Sequence, residues 1–146
     1  MFKRILIPTD GSPLAAKAAK AGIALASSLG AKVTGCYVVE ELRPIFGPRH
    51  GVNQHMINEF NQRARDEGQE NLDKIGKMAA RLGVPFTSAV VKGYPPHEGI
   101  AHVAKKHKCD AIFISTHGRS GFSKLVMGSV TQKVLMHSTV PVVVYR

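Results

Sequence analysis

Residues 2–13 read Phe2-Lys3-Arg4-Ile5-Leu6-Ile7-Pro8-Thr9-Asp10-Gly11-Ser12-Pro13, an apolar run, a polar turn and the start of a helix. The run from Phe2 to Pro8 reads as a first strand, and Thr9-Asp10-Gly11 as the loop that leaves it. Ser12 has the side chain of an N-cap, and Pro13 suits the first helical position because its missing N–H has no partner there anyway. The helix continues through Ala-rich sequence to Leu29. Gly30 then stands at C′, where a positive φ carries no steric penalty for glycine.

The same alternation continues to the other end of the chain. A second strand spans Lys32 to Val39, carrying Val33, Cys36, Val38 and Val39. Glu40 to Val52 contains Pro44, Gly47, Pro48 and Gly51, so it is expected to be a long connection of the kind that often serves function. From Asn53 to Leu82, the apolar residues Met56, Phe60, Leu72, Ile75, Ala79 and Leu82 recur at steps expected of one buried helical face, and Gly83 closes the helix. A third strand, Pro85 to Val91, turns at Gly93-Tyr94-Pro95-Pro96 into a helix from His97 to His107. Asp110 to Ser115 is a fourth strand, Ser129 to His137 a fourth helix and Val140 to Tyr145 a fifth strand. Alternating strands and helices predict an α/β domain with a parallel sheet. Right-handed crossovers would set the loops Pro8 to Ser12, Val39 to Val52, Lys92 to Pro96 and Ser115 to Gly128 on one sheet edge, where ligands bind.

Composition limits the function classes. With 146 residues and 44% apolar content, one domain over 1–146 can build a core without disulfides or metal. Cys36 and Cys109 lie in apolar stretches with no zinc-ligand spacing, so buried reduced thiols are expected. No apolar run reaches transmembrane length, and the one at the N-terminus is too short for a secretory core, which predicts a cytoplasmic protein. Twenty Lys and Arg against ten Asp and Glu give a net charge of +10, which permits attraction to phosphates or nucleic acid. The absence of Trp, with only three Tyr and six Phe, argues against a base-stacking platform. From Lys92 to Arg146 eight basic residues face two acidic ones, so the excess leans toward the half that holds the fourth loop.

That loop reads Ser115-Thr116-His117-Gly118-Arg119-Ser120-Gly121-Phe122-Ser123-Lys124-Leu125-Val126-Met127-Gly128-Ser129-Val130. Gly118, Gly121 and Gly128 allow close backbone approach, and Gly128-Ser129 opens a helix whose N–H groups favour an anion. Arg119 and Lys124 add charge. Neither GxxxxGK[ST] nor GxGxxG occurs. Asp10 belongs to the same rim, as a ligand for ribose or Mg²⁺ or simply as a helix-start residue that satisfies backbone N–H groups. Glu40 reads as a solvated carboxylate, and His117 as a loop residue before a phosphate contact. Phe122 and Leu125 to Met127 read as packing residues. His97, His102 and His107 at steps of five point to different faces of a helix and suggest surface positions rather than a metal set. No spacing marks a catalytic base or a transition-state arginine, so binding is expected ahead of catalysis.

The spacing Ser115-x2-Gly118-x9-Gly128-Ser129 resembles the Gly-x2-Gly-x9-Gly-Ser/Thr signature of the universal stress protein family, with serine at the first glycine. Ile7-Pro8-Thr9-Asp10, Tyr37-Val38-Val39-Glu40 and Val140-Pro141-Val142-Val143-Val144 extend the likeness along the whole chain. The resemblance implies a Rossmann-like open sheet of order 3-2-1-4-5 with helices on both faces. It also implies ATP as ligand, with Mg²⁺ carried on the nucleotide near Asp10. Pro8, Thr9, Asp10 and the Val38 backbone would meet ribose and adenine, while Ser115, Gly118, Arg119, Gly128, Ser129 and Val130 would surround the phosphates. It further implies a homodimer through the last strand, Val140 to Tyr145, and a nucleotide-responsive stress regulator. Two other classes are a basic module that binds an acidic partner or nucleic acid, and a slow ATPase or autokinase.

Overall fold

The computed structural model describes residues 1–43, 53–119 and 127–146. Its elements are β1 (Arg4–Pro8), α1 (Pro13–Leu29), β2 (Lys32–Val39), α2 (Gln54–Arg81), β3 (Phe86–Lys92), α3 (Pro96–Lys106), β4 (Ala111–Ser115), α4 (Ser129–His137) and β5 (Val142–Tyr145). The five strands form one sheet of order β3-β2-β1-β4-β5. Every pairing is parallel, with Ile5 opposite Val33 on one side and Ala111 on the other. This is the expected α/β sheet, with ends displaced by a residue or two. β5, for instance, starts at Val142, because Val140 N–H turns to Ser138 Oγ and only the Pro141 carbonyl joins the ladder, at Ile112 N–H.

Alternation along each strand splits the core into two layers. Ile5 and Ile7 face α1 and α2, packing with Ala19, Ile23, Leu72 and Ile75. Leu6, between them, faces α3 and α4 with Cys36, Ile100, Val103 and Val134. Central strands covered on both faces become continuous apolar runs, as Ile5-Leu6-Ile7 is. Close packing of α1 on the sheet requires Gly22, where a Cβ would stand 2.8 Å from Ile7 Cδ1 and 3.0 Å from Phe113 Cδ1. Both cysteines are buried and free, and burial pushes the Cys36 thiol up to about 12.

The helix signals of the first unit hold. Ser12 Oγ accepts the Ala15 N–H at 3.2 Å, and Gly30 adopts φ +64° beyond Leu29. The apolar face assigned to the second helix is only partly right. Ile57, Gly68, Leu72, Ile75 and Ala79 are buried, whereas Met56 is 64% exposed, Phe60 49% and Leu82 51%. Phe60 and Ala64 continue the stripe of Gly68 and Leu72, but there the helix has run past the sheet and faces an open cavity. Of the long second connection, residues 44–52 lie outside the described residues. Its start is tied to α2 by Glu41 with Arg65 at 2.7 Å and by Leu42 N–H with Asn61 Oδ1 at 2.8 Å.

The topology also corrects the expectation drawn from charge. α3 runs back from the end of β3 to the start of β4, so Lys105, Lys106 and Lys108 lie at the sheet edge opposite the fourth loop. Lys92 is paired with Glu41 at 3.6 Å. Position along an α/β chain alternates between the two edges, so an excess of basic residues in one half does not collect at one site.

Candidate functional site

The carboxyl ends of β1, β2 and β4 open on a cavity of about 480 Å³, within the usual range for small-molecule sites. It lies where strand order reverses, between β1 and β4. All ten residues expected at a site line it: Pro8, Thr9 and Asp10 from the first loop, Val38 from β2, Ser115, Gly118 and Arg119 after β4, and Gly128, Ser129 and Val130 at the start of α4. Tyr37, Phe60, Glu67 and Thr131 also line the wall, and the sequence had not singled them out for it. Gly121, Phe122, Lys124, Leu125 and Val126 lie outside the described residues.

The fourth loop is shaped by hydrogen bonds that hold its two ends together. Gly128 N–H donates to Thr116 O at 2.8 Å, and Thr131 Oγ1 donates to the Ser115 carbonyl at 2.8 Å. A Cβ on Gly128 would lie 3.2 Å from that same Thr116 oxygen, so the glycine keeps the loop closed against the helix. Ser115 is buried, and its hydroxyl donates to His117 O at 2.9 Å. The serine that replaces the signature glycine therefore turns its side chain into the loop. His117 Nδ1 lies 2.9 Å from Thr116 Oγ1, and the residue also lines the cavity.

At the start of α4 the first intrahelical acceptor is Gly128 O, reached by Gln132 N–H, and among the described residues no side chain caps the helix. The amides of the first turn are thus presented to the cavity by Ser129, Val130 and Thr131, which supplies N–H donors and the positive end of a helix dipole.

Asp10 serves as the helix-start residue of one of its readings and also bridges to the fourth loop, a contact the sequence did not indicate. Oδ1 accepts Ser12 N–H at 2.9 Å, as a helix-start residue does, and Oδ2 accepts Arg119 N–H at 2.7 Å from the opposite loop. Gly118 has no room for a side chain, because a Cβ would collide with Asp10 Oδ2. Arg119 Nε donates to Asp10 O at 2.7 Å and a terminal nitrogen to Tyr37 Oη at 3.0 Å, with Glu67 as a further ion-pair partner. Burial pushes the Tyr37 hydroxyl above its ordinary value, while the Arg119 charge draws it partly back, so Tyr37 stays neutral.

The donor set suits a nucleotide better than a resident metal. Among the described residues no cluster of three or more His, Cys, Asp or Glu could hold an ion. Mg²⁺ commonly takes one or two carboxylates and completes its shell with phosphates and water, so the wall suits a cation carried by a ligand. The histidines are placed mainly away from such chemistry, His102 stacked on Tyr94 with centroids 4.9 Å apart and His97 tilted on His137 at 5.7 Å. Among the described residues no helix is long and apolar enough to cross a membrane.

The chain is 37% identical to Universal stress protein MJ0531 of Methanocaldococcus jannaschii over 147 aligned positions, covering all of this chain and 83% of the relative. The solved structure of MJ0577, described as a hypothetical protein in a structure-based assignment of biochemical function, superposes with a TM-score of 0.81 at 28% identity. It covers 99% of this chain and 95% of that one. A universal stress protein from Archaeoglobus fulgidus, solved in complex with dAMP, superposes with a TM-score of 0.67 at 20% identity. It covers 99% of this chain and 98% of that one, a likeness that shows the fold alone. The glycine-spaced loop, the sheet order and a match to the Universal stress protein family across residues 1–146 agree, and the chain belongs to that family.

Proposed function

We propose that this chain binds an adenine nucleotide, ATP with Mg²⁺ carried on its phosphates, and acts in the cytoplasm as a nucleotide-responsive stress regulator. The observation that carries the proposal is the convergence of ten residues, from the β1→α1 turn, the end of β2 and the stretch between β4 and the start of α4, on one cavity. Phosphates would take the N–H groups of Ser129 and Val130, for which no capping side chain is found among the described residues. Ribose hydroxyls would reach Asp10, and the adenine edge the backbone of Val38. The nucleotide complex of the Archaeoglobus relative, on the same fold, is in keeping with this choice of ligand. A homodimer through β5 completes the proposal, since the short apolar strand of Val142, Val143 and Val144 is an edge strand with no neighbour on its outer side among the described residues.

Purified protein, denatured and cleared, is expected to release an adenine nucleotide into the supernatant. Calorimetric titration with ATP and Mg²⁺ is expected to give binding that weakens by tenfold or more in Gly128→Val and in Asp10→Ala, about 1.4 kcal/mol or above. Absence of heat with ATP and ADP alike would remove the proposal. Sedimentation at micromolar concentration is expected to show a dimer, and a monomer there would remove the β5 pairing alone.

A further inference from the structure

Four groups from three separate stretches of chain converge on Arg119: the Asp10 carboxylate and carbonyl from the first loop, Tyr37 from β2 and Glu67 from α2. We infer that Arg119 is a positioning residue, whose side chain ties the Asp10 turn, by its carbonyl, to the Tyr37–Glu67 wall, and that the phosphates are left to backbone amides. The ligand in this inference rests on the nucleotide reading above, while the geometry of the clasp does not.

Three features support the assignment. The two oxygens of Asp10 are oriented by different N–H groups, Ser12 on Oδ1 and Arg119 on Oδ2, so the carboxylate cannot turn without losing one of them. Gly118, next to Arg119, leaves the space that Oδ2 needs. The third feature is charge balance. Glu67 pairs with the guanidinium, whose Nε also holds the Asp10 carbonyl, and moving it onto a phosphate would leave the Glu67 carboxylate unpaired, near that of Asp10, on the same cavity wall as the incoming anion. A planar guanidinium with five N–H donors can bridge a carbonyl, a phenol and a carboxylate together, whereas the flexible, compact ammonium of lysine cannot span that set.

The test compares ATP with adenosine, which lacks phosphates. Arg119→Gln in the full chain is expected to weaken both ligands by a similar factor, about tenfold as for other supporting residues, and to leave the salt dependence of ATP binding unchanged. Arg119→Lys is expected not to restore either affinity. Weakening of ATP with adenosine unaffected, or a shallower salt dependence, would make Arg119 a phosphate ligand and overturn the inference. Should the wild-type chain bind neither compound, the nucleotide reading fails, and the clasp is judged by thermal unfolding of Arg119→Gln, Glu67→Gln and the double variant. Non-additive shifts in Tm uphold the clasp, and additive shifts overturn it.

Discussion

Two aspartates stitch β1 to the β4 region at opposite ends of the sheet, and they do so to different ends. Asp110, just before β4, accepts Lys3 N–H at 2.8 Å and Arg4 N–H at 2.9 Å. Its own N–H returns to the Arg4 carbonyl at 2.9 Å, so that edge is closed by one carboxylate and strand backbone. Asp10, just after β1, reaches the loop after β4 at Arg119 N–H, but Gly118 and Gly128 keep side chains out and a cavity remains. The same residue type makes the same strand pair rigid at one end and receptive at the other. The difference comes from what surrounds the carboxylate: strand amides at Asp110, and at Asp10 a glycine-spaced loop with a guanidinium.

Filling the receptive end should break this contrast most strongly. Gly118→Val forces a side chain into the Asp10 carboxylate, so nucleotide affinity is expected to fall by well over tenfold, about 2 kcal/mol or more by calorimetry. Unchanged affinity would mean that Asp10 need not sit where the structure places it.

The closed end should affect stability and leave binding alone. Asp110→Ala removes the acceptor of two strand amides and is expected to cost about 1–2 kcal/mol in denaturant unfolding, with nucleotide affinity unchanged. Burial acts to raise the Asp110 carboxyl, but the Arg4 and Lys3 amides outweigh it and hold the group below its usual value. A depressed folded-state value stabilises the protein above the unfolded carboxyl's range, near pH 4, and that stability is lost as pH falls through the folded value. The difference between wild type and Asp110→Asn is therefore expected to stay level from pH 8 to pH 5 and to shrink in more acidic solution. A difference that grows on acidification would contradict the assignment.

The smallest effect is expected from the basic cluster near the closed end. β4 has five residues, roughly 17 Å of extended chain, and the Debye length near 0.15 M salt is about 8 Å. Replacing Lys105, Lys106 and Lys108 together by Gln is expected to change ATP affinity by less than about twofold at that salt. A larger loss would show that these charges reach the cavity after all.

Much of the site was legible because a parallel sheet leaves few choices. Once Phe2 to Pro8 and Asp110 to Ser115 read as strands followed by helices, Asp10 and Gly118 had to share an edge. The Ser12 cap and the Gly30 stop follow from local chemistry and need no tertiary context. Phe60 and Glu67 were not legible as site residues. They lie on α2, and whether a residue there meets the sheet, solvent or the cavity depends on where the helix runs past the end of β2. Tyr37 was quoted only as part of a strand, and its contact with Arg119 depends on how the fourth loop closes.

The sequence by itself determined the alternation of elements, the caps, the glycine-spaced loop and the membership of one family, because each rests on local pattern or residue identity. Only the tertiary structure decided which cations face the cavity and which carboxylates are already engaged. It turned Arg119 inward, set Lys105, Lys106 and Lys108 at the far edge and opened the stripe at Phe60 to the cavity. The physical reason is that every helix returns the chain to the other edge of the sheet, so nearness in sequence and nearness in space separate wherever long-range packing sets the distance.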